Sequence, residues 1–434
     1  MNLARRLALP AALALAALTG LPAAQAQQLS LSYLGQQILP TGFVPAGAAG
    51  SLGGAPVPVG GLSGIDFDRN TQRYVAISDD RSAAGPARFY TLSLDLGLFQ
   101  RSANPGSAGV GFLAVTALQQ PGGGNFGLNQ VDPEGLRLNP ANGNLWWSNE
   151  GQRAAAGFQN PTVREMTPSG AYVRDLPVPV RFQPSGSVAG NQAGDRGVAN
   201  NLAFESLSFS TDGRTLYTAT ENALVQDGPA AAVGQPSASR ILAFDLSTGT
   251  ATAEYVYPVS PVALPPAAPG LFATNGLVEL LALAPGEFIA VERSFAVGAA
   301  TPGVGPAGQT TGNTIRLYHV DIRGATDVSA LETLVGASYA AATKTLLLDM
   351  SDLRHDDGSV VALDNIEGIT FGPVLPDGRQ TLVLVSDNNF GAAQFTQFVA
   401  LAISPVPEPA AASLFLMGVG ALACKTRRRA RTQR

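Results

Sequence analysis

Residues 134–150 read EGLRLNPANGNLWWSNE: a glutamate opens an apolar run, a turn-forming Asn-Pro-Ala-Asn-Gly-Asn follows, and a second apolar run ends on another glutamate. Asn-Gly between two apolar runs fits a β-hairpin. The phrase recurs along the chain. Ser63-Gly64-Ile65 leads to Ser78-Asp79-Asp80, and Glu205-Ser206-Leu207 leads to Thr220-Glu221-Asn222. Glu279-Leu280-Leu281 leads to Val291-Glu292-Arg293, and Glu367-Gly368-Ile369 leads to Ser386-Asp387-Asn388. The five starts are 71, 71, 74 and 88 residues apart. A period of this length points to a radial array of repeated sheets.

Outward from each hairpin the pattern stays strand-like. A third strand is expected over 88–94, 162–166, 240–245, 314–321 and 397–403, and a fourth over 112–118, 171–178, 252–258 and 345–350. The last unit lacks a fourth strand, and the apolar run 29–33 ahead of the first unit is free to supply it. That is the closure of an all-β propeller, so the expected fold is five four-stranded blades (six being the alternative) sealed by an N-terminal strand. Trp146 and Trp147 alternate on a strand, which places one in the core and the other exposed or on a neighbouring blade.

The two ends read as addresses. Residues 1–26 carry Arg5 and Arg6, a short apolar stretch and Ala24-Gln25-Ala26, the layout of a secretory signal peptide. After a body over 27–404, the C-terminus runs Pro407-Glu408-Pro409, an uncharged stretch to Cys424, and then a basic tail with Arg427, Arg428 and Arg429. This order of parts resembles the PEP-CTERM sorting signal. The resemblance implies a short transmembrane helix in the inner membrane of a Gram-negative bacterium, an exosortase-type processing enzyme as partner, and final release to the cell surface or extracellular matrix. Without its ends the body carries 19 basic and 31 acidic groups, a net charge of −12. Such a surface repels nucleic acid and attracts divalent cations. Membrane contact is expected only through the C-terminal segment.

Composition removes several chemistries. One Cys excludes a disulfide framework or a cysteine-built zinc site, and His319 and His355 are the only histidines. His319 reads as a structural histidine within a strand, and His355 as a loop residue with a weaker claim to a site. No phosphate-binding G-x-x-x-x-G-K-[ST] loop and no G-x-S-x-G occurs. Carboxylates, arginines, asparagines and backbone remain. In a blade, the residue opening the first strand and the residue ending the second share one rim. Glu134, Glu205, Glu279 and Glu367 therefore meet Asp79, Glu150, Glu221, Glu292 and Asp387 at the channel mouth. So many acids must be spread apart, hold cations or be neutralised by arginine, and Arg81, Arg153 and Arg293 follow the second acid closely. Acids repeated in every blade also suit a motif that only ties blades together. An oxygen-only donor set favours Ca²⁺ or Mg²⁺.

The pairs Gly61-Leu62-Ser63-Gly64 with Ser78-Asp79-Asp80, Asp132-Pro133-Glu134-Gly135 with Ser148-Asn149-Glu150, Phe204-Glu205-Ser206 with Thr220-Glu221-Asn222, and Ile366-Glu367-Gly368 with Ser386-Asp387-Asn388 resemble the family known as esterase-like activity of phytase. The likeness covers roughly 29–403. It implies an esterase-like hydrolase of phosphate monoesters or diesters, and joined to the cation-attracting rim the expectation is metal-dependent hydrolysis of a small-molecule phosphate ester. On this reading Glu134, Glu205 and Glu367 are the candidate catalytic residues. Asp79, Glu150, Glu221 and Asp387 are the candidate Ca²⁺ or Mg²⁺ ligands, and Arg81 and Arg153 the substrate-binding groups. The fourth unit departs from the pattern, with Glu279-Leu280 for Glu-Gly and Glu292-Arg293 at its end, which puts Glu279 and Glu292 in doubt. A lactonase or carboxylesterase propeller and a non-catalytic binder of matrix polysaccharide or protein are the alternatives.

Overall fold

A computed structural model describes residues 29–405; the segments expected for export (1–26) and sorting (beyond 405), Cys424 included, lie outside the described residues. Each repeat folds into one four-stranded antiparallel sheet. Blade 1 comprises Leu62–Asp68, Arg73–Ser78, Arg88–Leu94 and Val110–Ala117; blade 2, Pro133–Leu138, Leu145–Asn149, Thr162–Met166 and Tyr172–Leu176. Blade 3 comprises Phe204–Phe209, Thr215–Ala223, Ser237–Asp245 and Thr250–Val259; blade 4, Ala273–Ala284, Glu287–Ala296, Asn313–Asp321 and Thr343–Asp349. Blade 5 takes Asn365–Val374, Gln380–Asp387 and Phe395–Pro405 from the end of the chain, and its outermost strand, Leu29–Pro40, from the beginning. The innermost strands of blades 1 to 5 touch in sequence and the fifth touches the first, so the ring has five blades and not six. Among the described residues no helix is long and apolar enough to cross a membrane.

The five largest parcels of the hydrophobic core lie one between each pair of neighbouring blades, and two smaller clusters, around Val328 and around Val262, sit under the loops. Strand alternation explains how one strand serves two parcels. Trp146 packs with Phe204, Leu207 and Phe244 of blade 3, while Trp147 packs with Ile77 and Phe89 of blade 1. Both indoles are buried, one on each flank of blade 2, so neither is exposed.

The inner strands approach one another closely, and glycines permit it. A Cβ added at Gly135 would lie 2.8 Å from the Leu207 nitrogen and 2.9 Å from the Glu205 carbonyl oxygen. Gly64 meets the backbone of Glu134 and Leu136 in the same way, and Gly368 that of Ser63. Gly135→Ala is therefore expected to cost about 1–3 kcal/mol through a forced shift of blade 2 against blade 3. A urea midpoint equal to that of the unsubstituted protein would show that the strands have room to part.

Candidate metal and hydrolytic site at the channel mouth

The mouth carboxylates owe their positions to a bulge repeated in every inner strand. In blade 3, Phe204 pairs with Thr220 and Ser206 with Ala219, leaving Glu205 as the extra residue. Blade 5 skips Glu367 between Ile366 and Gly368, and blade 1 skips Ser63 between Leu62 and Gly64. In blade 2 the register slips between Pro133 and Leu136, around Glu134. A bulge re-aims the side chain of the extra residue. Here it turns Glu134, Glu205 and Glu367 into the mouth, where they line a cavity of about 860 Å³ together with Asp79, Asp132, Glu221 and Asp387.

Blade 4 breaks the pattern by one residue. Leu277 pairs with Glu292 and Glu279 with Val291, so the bulged residue is Val278. Glu279 occupies the place that Gly64, Gly135 and Gly368 hold elsewhere, and Arg293 takes the place of the second-strand acid. Glu279 and Glu292 are accordingly not mouth acids. Glu279 turns down the channel and forms an ion pair with Arg137 at 2.9 Å. Glu292 is held between blades 3 and 4 by the Tyr257 hydroxyl, the Asn275 amide and the Lys344 ammonium.

The remaining acids form a continuous buried arc. Asp132, Glu134 and Glu150 can bring one carboxylate oxygen each within 4.8 Å of one another, and so can Glu150, Glu205 and Glu221. Glu150 is common to both groups, and its Oε1 accepts the Ala203 N–H. Ser63 Oγ donates to Glu134 Oε2 at 2.6 Å. Glu367 Oε1 accepts from Asn365 Nδ2 at 2.9 Å and faces Arg293 at 3.2 Å. Asp387 accepts the Asn389 N–H at 2.6 Å and the Asn365 amide at 3.1 Å. Glu221 Oε1 is buried with no hydrogen-bond partner, its nearest cation being Arg293 at 3.6 Å.

Asp80 and Asp364 on the cavity wall are taken up by Arg88 and by the Asn365 and Phe395 N–H groups, and eight further carboxylates (Asp79, Asp132, Glu134, Glu150, Glu205, Glu221, Glu367 and Asp387) face two guanidinium groups, Arg81 and Arg293. Burial disfavours their charged forms and like charges add to it. Glu134, Glu150, Glu205, Asp79 and Asp387 are all held well above the usual carboxylate range, by burial first and then by neighbouring acids. Asp132 is pushed up to about 6 by burial against the opposing pull of Arg81, and Glu221 to about 7 by burial against Arg293. An arc this dense keeps its charge only by exchanging protons for cations. Its donors are all oxygen, with neither His nor Cys among them, which fits a hard divalent ion.

Arg81 lies on the rim, 3.5 Å from Asp132, with Gln152 Oε1 accepting from its guanidinium at 2.8 Å. Arg153 does not join it. Its guanidinium is spent on the carbonyls of Ser185, Ser187, Arg196 and Val198, where it fastens the loop following blade 2, and it does not line the mouth cavity. His319 pairs with Glu287 at 2.8 Å, and His355 is buried near the Tyr33 ring; neither lines the mouth. Sequence reasoning passed over Asp132 as a ligand and treated Arg293 only as a neutraliser. The Asp132-Pro133-Glu134 run was the available signal for the first, and the displaced Glu-Arg at 292–293 for the second.

A five-bladed propeller with an acid-lined, oxygen-only mouth defines the class of protein. The profile described as esterase-like activity of phytase matches residues 57–390, and the PEP-CTERM protein-sorting motif matches 405–430. The chain belongs to the family of esterase-like activity of phytase. That membership points to a hydrolase, and the sorting motif to export and exosortase-type processing. No curated protein matches the chain. Among solved structures, one described as "Structure of Dos1 propeller" is similar at 8% identity and a TM-score of 0.31, covering 80% of this chain and 69% of that one.

Proposed function

We propose that this protein is an exported hydrolase of small phosphate esters that depends on a divalent cation, Ca²⁺ first and Mg²⁺ second. The observation that carries the reading is the pair of carboxylate triads that share the buried Glu150 and whose other four acids line the mouth. Asp132, Glu134 and Glu150, with Glu205 and Glu221, would hold the cation. When bound, such an ion neutralises phosphoryl oxygens and acidifies a water. The chain's own groups do the rest. Arg81 and Arg293 orient the anionic ester, offsetting the repulsion that the acids exert on it. Glu367 lies outside both triads, and burial raises its carboxyl from the ordinary value. A carboxylate whose affinity for a proton is raised in this way is a better proton acceptor than an ordinary one, and Glu367 is assigned to take the proton of an attacking water. Asp79 and Asp387 complete the negative rim. The mature body is taken as 27–404, freed from a signal peptide and, after membrane anchoring, from the sorting segment, and delivered to the cell surface or matrix.

A lactone or carboxylic ester is the second reading, favoured by Phe272, Phe295 and Phe390 on the cavity wall. Aryl phosphate mono- and diesters, assayed with Ca²⁺ and with a chelator, separate the two. Glu150→Gln is expected to lower phosphoester hydrolysis by about 100-fold or more and to weaken Ca²⁺ binding in parallel. Hydrolysis that survives both the chelator and this substitution would reject the cation-dependent reading, and turnover of lactones alone would favour the second.

A further inference from the structure

Four of the five blades end their second strand with an acid at the mouth: Asp79, Glu150, Glu221 and Asp387. Blade 4 ends with Arg293, and its bulged inner residue is Val278 where blades 2, 3 and 5 present a glutamate. The ring therefore loses two acids at one station and gains a cation there. The Arg293 guanidinium lies 3.2 Å from Glu367 of blade 5 and 3.6 Å from Glu221 of blade 3, bridging the acids on both sides of its own blade. The two carboxylate triads lie in blades 2 and 3, and the second ends at Glu221, the acid that Arg293 faces. A guanidinium and a divalent ion cannot occupy one place among the same carboxylates. Glu221 Oε1, buried without a hydrogen-bond partner, is the ligand atom left over where the two regions meet.

We propose that Arg293 is a built-in cation standing in for a divalent ion at blade 4, so that its removal opens a further cation site built from Glu221 and Glu367. The inference rests on the cation-dependent reading of the mouth. A fixed cation costs nothing to recruit and stays in place when metal is scarce. It confines exchangeable ions to the arc of blades 2 and 3 and leaves a permanent positive charge beside them for an anionic substrate. Lysine retains the charge, whereas glutamine keeps much of the side chain and removes it.

The test is the number of Ca²⁺ ions bound per full-length chain, by equilibrium dialysis, for the unsubstituted protein, Arg293→Gln and Arg293→Lys. Arg293→Gln is expected to bind one ion more than the unsubstituted protein, and Arg293→Lys the same number. Unchanged number and affinity in Arg293→Gln would overturn the proposal. An Arg293→Gln chain that is unfolded with and without millimolar Ca²⁺, while Arg293→Lys folds, would do the same, because an ion bound at vacated carboxylates must stabilise the fold. If the unsubstituted protein binds no Ca²⁺ and Arg293→Gln binds one, the cation-dependent reading falls while the role of Arg293 stands.

Discussion

Replacing Arg137 with methionine is expected to lower stability by about 3–5 kcal/mol, a larger loss than any mouth carboxylate should give. Arg137 and Glu279 face each other across the channel below the mouth, and both side chains are buried, 3% and 1% exposed. The guanidinium donates to the carbonyls of Ile65 in blade 1, Leu136 in blade 2, Leu280 in blade 4 and Ile369 in blade 5. Glu279 accepts the Leu207 N–H of blade 3. One ion pair thus ties the inner strands of all five blades.

The loss expected from Arg137→Met has a specific origin. It strands Glu279 as a buried charge and leaves four carbonyls without a donor. A buried pair replaced whole by apolar groups is often nearly neutral, since two desolvation costs vanish with the attraction. Arg137→Met combined with Glu279→Leu should therefore recover much of the loss. Urea unfolding of the two variants checks both statements. If Arg137→Met unfolds at the unsubstituted midpoint, water reaches the axis and the pair contributes only what an exposed pair does.

Features set by neighbouring residues can be read from the chain, and features set by strand alignment cannot. The five hairpins were legible because every blade needs the same apolar–turn–apolar phrase, and closure by the N-terminal strand followed from a missing fourth strand. The acid arc was legible for the same reason, since Glu134, Glu205 and Glu367 stand at matching places in their phrases. The bulge that aims them was not, because an extra residue in a ladder shows only when the partner strand is aligned with it. That blindness misplaced blade 4, where Glu279 and Glu292 imitate the motif one residue out of register. Arg153 follows Glu150 by three residues much as Arg81 follows Asp79 by two, yet a loop 32 to 45 residues downstream captured it. The axial pair has partners in different blades and left no trace in either local segment.

Without metal, the melting temperature should fall as pH rises from about 5 to 8, opposite to ordinary acid denaturation. The reason lies in acids whose protonated form the fold prefers. Burial pushes Asp132 and Asp364 up to about 6, and Glu221 and Glu279 up to about 7. In the unfolded chain such groups titrate near 4. Between these values the folded protein holds more protons than the unfolded one, so their contribution is complete below the unfolded pKa and is lost as pH passes through 6 and 7. Acids lowered by hydrogen bonds and ion pairs, such as Glu165 beside Asn144 and Arg174, act oppositely and lose their contribution only in more acidic solution. Ca²⁺ should cancel the share of the fall that Asp132 and Glu221 carry, and leave that of Asp364 and Glu279. An ion at Glu150 takes over the role of the protons, stabilises the fold by about 2.7 kcal/mol at a hundred times its dissociation constant, and releases protons on binding. Melting curves at pH 5, 6, 7 and 8, in chelator and in saturating Ca²⁺, provide the check. A chelator series whose melting temperature climbs with pH would mean that the arc stays ionised without a cation, and that water rather than metal balances its charge.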